Sequence, residues 1–118
     1  MASHNQTGVL GEKLATAYFT DHNFTILHTN WRYARWEVDV IAEKNNTLHF
    51  IEVKTRRSKR FGLPEDSVGT KKIKHLINAA EAYLYLNPQW QRIQFDILSI
   101  SIIPNKPIEY FYIEDISL

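Results

Sequence analysis

Apolar positions follow two rhythms along this chain, and the changes of rhythm mark out its elements. Leu10, Leu14, Ala17 and Tyr18 recur at helical spacing, with Gly8, Gly11, Ala15 and Phe19 as an adjoining strip. A polar lead, residues 1–6, is expected to be mobile, with Thr7 or its neighbours capping a helix that runs to about His22. From Phe24 to Tyr33 the chain turns strand-like, with Phe24, Ile26 and Leu27 apolar. Two further β-rich runs flank Asn45-Asn46. A second helix starts at Thr70, buries Ile73, Leu76, Ile77, Ala80, Tyr83 and Leu84, and stops near Asn87 before Pro88. Lys71, Lys74, His75 and Asn78 fall on its opposite face. Strands over Ile93–Ile103 and Ile108–Ile113 are separated by the turn Asn105-Lys106-Pro107. The order helix, three strands, helix, two strands predicts one α/β (α+β) domain: a single mixed five-stranded sheet with flanking helices.

The central hairpin can be read more finely. Asparagine tolerates left-handed backbone, so Asn45-Asn46 suits a two-residue type I′ turn. With Lys44 opposite Thr47, Asp39 stands across from Glu52 and Glu37 across from Lys54. Strand alternation then puts all four charges on one face, and Trp36, Val38, Val40, Ile51, Val53 and Thr55 on the core face. The charged face becomes apolar at Ile41 and Phe50. Opposed β-carbons lie roughly 5 Å apart, so Asp39 and Glu52 would repel unless they share a cation or a proton. A longer loop would slip the register and send the charges to water, but it would also expose Val38, Val40 and Val53.

Composition narrows the setting. At 118 residues there is room for one core. No cysteine is present, which removes disulfides and thiolate metal sites and suits a reducing cytoplasm. The five histidines are scattered, which argues against structural zinc. No apolar run approaches the roughly 20 residues that span a bilayer, and the first ten residues lack a signal-peptide core, so no membrane partner is expected. The formal net charge is only +1. Yet Arg32, Arg35, Lys54, Arg56, Arg57, Lys59, Arg60, Lys71, Lys72 and Lys74 gather around the hairpin, where a phosphate backbone could be gripped. The competing reading is a solvated basic surface. The stretch Thr55–Gly69 reads as a long basic loop, either able to close over a bound strand or merely a connector.

Asp39 followed by Glu52-Val53-Lys54 on the next strand resembles the signature of the PD-(D/E)XK nuclease superfamily. An ordered series across nearly the whole chain is similar to the YraN-like family of uncharacterised, endonuclease-like bacterial proteins. It comprises Gly11-Glu12-Lys13-Leu14-Ala15, Asn30-Trp31-Arg32, Glu37–Ile41, Phe50–Arg56, Phe61-Gly62, Lys71-Lys72 and Phe95-Asp96. The resemblance implies a restriction-endonuclease-like core. It also implies that Glu12 is a remaining acidic site residue and that the Val53 carbonyl can ligate metal. Two departures stand out: Trp36 where relatives usually have glycine, and Gln94 where they usually have arginine.

Phosphodiester hydrolysis needs an activated water and neutralised phosphate charge, which a magnesium ion supplies, or manganese in its place. Asp39, Glu52, Val53 and Glu12 are the expected metal ligands. Lys54 would orient water or stabilise developing charge, and Glu37 would position Lys54 or act as a second acid. Spacing alone also allows a surface Glu12 and a plain Glu37–Lys54 ion pair. The leading expectation is a magnesium-dependent DNA endonuclease. Branched DNA, and with it repair or recombination, is suggested by likeness to Holliday-junction resolvases. The alternatives are a catalytically silent nucleic-acid-binding or scaffolding protein with a nuclease fold, and an interaction domain. A homodimer would let one site per chain cut both strands.

Overall fold

Asn45 and Asn46 both take left-handed backbone, with φ of 53° and 65°, which is what a two-residue hairpin turn requires. The computed structural model describes residues 2–57 and 70–116. In it this turn joins β2 (Trp36–Lys44) to β3 (Thr47–Arg56) in the expected register, from Lys44 opposite Thr47 to Val40 opposite Ile51. β1 (Thr25–Tyr33) lies antiparallel along the other side of β2. The chain crosses through α2 (Thr70–Leu86) to β4 (Arg92–Ser101), which runs parallel to β3. β5 (Glu109–Ile113) closes the sheet antiparallel to β4. The five strands form one mixed sheet in sequence order. The basic loop expected over Thr55–Gly69 begins only after Arg56, and its residues 58–69 lie outside the described residues.

Each sheet face has its own helix. α1 (Ala2–Asp21) starts earlier than a cap at Thr7 would allow and takes in the expected polar lead. Its buried side is the small strip Gly11, Ala15 and Phe19, whereas Leu14 and Tyr18 are half-buried and Leu10 and Ala17 exposed. Small residues let the helix lie close: a β-carbon on Gly11 would stand 2.9 Å from Thr55 Cγ2. That side packs on Val40, Ala42, Ile51, Leu98 and Ile100. On the opposite face α2 sets Leu76, Ala79, Ala80 and Tyr83 against Ile41, Leu48 and Phe50. No helix among the described residues is long and apolar enough to cross a membrane.

The expected core face of the hairpin needs one correction. β3 alternates regularly, but Val38 and Trp36 join Ile41 in the core beneath α2, whereas Val40 and Ala42 face α1. The faces of β2 therefore exchange at Asp39. The neighbouring strand shows the cause. Pairing runs from Thr29 opposite Val40 to Trp31 opposite Val38, passing over Asn30, which has a left-handed φ of 51°. That kink turns both strands, so His28 and Trp31, three positions apart, both meet the Tyr83 ring of α2, at 5.4 and 5.2 Å.

Candidate active site

β2 and β3 stop pairing after Val40 and Ile51, and the carboxylate of Asp39 enters the fork they leave. Its Oδ2 accepts the Val53 N–H at 2.8 Å, standing in for the ladder bond that is lost. In an extended strand the carbonyl of a residue faces the same side as its N–H, so the Val53 carbonyl is turned toward Asp39 as well. Glu52, the next residue along from Ile51, brings the second carboxylate to the fork. Burial raises its pKa first and the charge on Asp39 adds to that, carrying it to about 7 against the pull of Lys72 and Lys54. Asp39 is also pushed up, by burial and then by Glu37, while the Val53 N–H, Lys72 and Lys54 oppose the rise. Two carboxyls that resist ionisation together make a site short of positive charge.

The cations present do not cancel this shortage. Lys72 Nζ stands 3.9 Å from Glu52 Oε2 and is half-exposed. Burial lowers the pKa of Lys54, and the like charge of nearby Lys72 lowers it further. Clefts open on both sides of the fork, and Asp39 lines both. One, of about 470 Å³, includes Gly11, Glu12, Asn30, Arg32 and Val53. The other, of about 320 Å³, lies under α2 with Glu37, Glu52, Lys71, Lys72 and His75.

Glu37 borders the α2-side cleft, but its partner is not the expected Lys54. Because the faces of β2 exchange at Asp39, its side chain leaves Lys54 and pairs with Arg32 Nε at 3.3 Å, both groups well exposed. Its backbone N–H is held by His75 Nε2 at 3.2 Å. His75, which helical spacing puts on the solvent side of α2, instead packs at a tilt against Trp36, with ring centres 5.1 Å apart. Glu12 lines the α1-side cleft, and its Oε2 accepts a hydrogen bond from Asn30 Nδ2 at 2.7 Å.

Of the expected phosphate-gripping residues, Lys71 and Lys72 border the α2-side cleft and Arg32 the α1-side one. Arg35 lies over the Trp36 ring at 4.6 Å. Arg56 is half-buried at the end of β3, and Arg57 and Lys74 are exposed. Lys59 and Arg60 lie outside the described residues. Asn30 and His75 are named in the sequence only within the family-like series and on the outer face of the second helix, and neither is placed there at the carboxylates. For Asn30 a signal exists: an asparagine inside a strand is a poor β-former that tolerates left-handed backbone, and so marks a kink. For His75 there is none beyond its standing three residues after Lys72.

The donor set fits a hard divalent cation. Two close carboxylates, a backbone carbonyl aimed the same way and Glu12 across the cleft are all oxygen ligands. Among the described residues no three acidic or histidine side chains are drawn together around one point. Glu12 would therefore reach such an ion through water or by closing the cleft.

The model of the uncharacterised protein family UPF0102 matches residues 11–100. A UPF0102 protein of Flavobacterium johnsoniae is 43% identical over 121 residues, covering 99% of this chain and 95% of its own length. Those of Bacteroides thetaiotaomicron and Phocaeicola vulgatus are 42% and 44% identical over 100 residues, covering 85% of this chain and 83% of theirs.

Proposed function

The chain belongs to the uncharacterised protein family UPF0102, and from the chemistry of its fork we propose that it is a magnesium-dependent endonuclease acting on DNA. One observation carries this reading: two half-buried carboxyls, Asp39 and Glu52, come together at a strand fork with lysines on their flank. A structural ion pair does not need a second carboxylate, and two half-buried ones side by side repel without a cation or proton between them.

When bound there, a magnesium ion would supply Lewis acidity and neutralise phosphate charge. The protein's own groups do the rest. Asp39 and Glu52 would hold that ion, and the Val53 N–H fixes the Asp39 carboxylate against rotation. The ammonium of Lys54 faces the negative charge that builds on the scissile phosphate, where preorganised donors act most strongly. Lys71, Lys72 and Arg32 grip the strand by its phosphates. Resemblance to junction resolvases makes branched DNA the first substrate to try, a warrant at the level of fold.

A second reading is a nucleic-acid-binding protein with a silent site. It is favoured by the absence, among the described residues, of three convergent side-chain ligands. A cleavage panel separates the two. Single-stranded, duplex, flapped and four-way-junction DNA are incubated with magnesium or manganese and wild type, Asp39→Asn or Lys54→Ala. Metal-dependent cutting lost in both variants supports the nuclease. Salt-sensitive binding with no cutting on any substrate supports the silent reading.

A further inference from the structure

We propose that Asn30 is a positioning residue of the cation site: its side-chain amide aims the Glu12 carboxylate at the fork that its own backbone kink opens. The inference rests on the nuclease reading of that fork and adds a residue to which the reading gave no role.

Asn30 stands opposite Asp39, and pairing between β1 and β2 passes over both. Its φ of 51° is a conformation that costs most side chains energy, and asparagine and glycine least. The kink is where the faces of β2 exchange, so it is what turns Asp39 into the fork. From the same residue Nδ2 reaches Glu12 Oε2 at 2.7 Å, eighteen positions back in the chain. Asn30, Glu12, Asp39 and Val53 line one cleft. The contact of Gly11 with Thr55 brings α1 close enough for the next residue, Glu12, to overhang it.

Stability does not account for this bond. Asn30 is exposed and Glu12 half-buried, so water could satisfy both groups at little cost. What the bond adds is direction. An amide N–H occupies one carboxylate oxygen and leaves the other for the cleft, the arrangement by which outer-shell donors orient metal-binding carboxylates.

Manganese binding by isothermal titration, with melting in EDTA as the second readout, tests this without relying on cleavage. Asn30→Gly keeps the left-handed backbone and removes the amide, so it should melt near the wild type but bind manganese roughly 10- to 100-fold more weakly. Asn30→Ala should bind as weakly and melt lower, because alanine strains at that φ. In a Glu12→Gln background, Asn30→Gly should cost nothing further, since the two act as one unit. Wild-type manganese affinity in Asn30→Gly overturns the proposal, as do independent losses in the double variant. An Asn30→Gly chain that fails to fold overturns it too, by making the amide a folding requirement. Wild type that takes up no manganese sinks the nuclease reading itself.

Discussion

Glu52 carries the largest consequence of any single residue at the fork. Its pKa rises from an ordinary 4.5 to about 7, chiefly by burial and the charge of Asp39. A raised acid binds its proton more tightly folded than unfolded. Its contribution is therefore full below about 4.5 and is lost as the pH climbs through 7. Metal-free protein should accordingly lose stability between pH 5 and 8, and Glu52→Gln should flatten that slope in EDTA melts. Magnesium must displace the same proton, so its affinity should strengthen over the same interval. Asp39→Asn relieves the repulsion while keeping an oxygen to accept the Val53 N–H. Without metal it should melt higher by about 1 kcal/mol, or ~4 °C, and magnesium should no longer stabilise it. A variant that melts lower in EDTA would show that repulsion does not govern this pair. The Asp39–Glu52 pair was legible because turn chemistry counts residues from Asn45-Asn46. The departure of Glu37 was not, because a left-handed residue on the adjoining strand decides it, and no count along the hairpin contains Asn30.

Between elements, two contacts set how the helices and strands fit. Gly11 presses α1 against β3 at Thr55, with a substituted β-carbon 2.9 Å from Cγ2 and 3.2 Å from Oγ1. Gly11→Ala gains about 1 kcal/mol of helix propensity but overpacks the contact by ~1–3 kcal/mol. The variant should be the less stable in urea melts, and Thr55→Ser, which removes Cγ2, should restore much of the loss. The second contact is Asp96, wholly buried on β4. It accepts from His49 Nδ1 on β3 at 2.6 Å, Gln94 Nε2 at 3.0 Å, the Asp115 N–H at 2.9 Å and the Tyr112 hydroxyl on β5. Burial alone would raise its pKa, but these donors together hold it below the ordinary carboxylate range. Asp96→Ala would leave several buried donors unpaired and should cost ~3 kcal/mol or more by urea denaturation. Gln94 holds one oxygen of this carboxylate, which gives that departure from the family pattern a structural place. Trp36, the other departure, fills the core beneath α2 next to His75. The strip of α1 that packs is legible in its small residues, which suit close packing, although spacing alone sets it beside the bulkier Leu10 and Leu14. Close approach, not side-chain size, chooses Gly11, Ala15 and Phe19.

Across the whole molecule the order of elements was readable, because each change of hydrophobic period coincides with a turn or a stop signal. Strand adjacency followed for the β1-β2-β3 meander, where short turns leave little choice. Periodicity cannot say which strand β4 joins, or in which direction. The crossover through α2 settles both, placing β4 parallel to β3. That parallel pair also bears on how the chain is made. Local hairpins close quickly, whereas β4 must wait until α2 has been synthesised and brought across the sheet. In the interval β3 is a raw edge, with Leu48, Phe50 and Ile51 beside unpaired backbone, and such an edge is a template for another chain. The strand that supplies Glu52 is thus also the one most in need of shelter during synthesis. Slow closure of this one seam would set the rate at which newly made protein escapes aggregation.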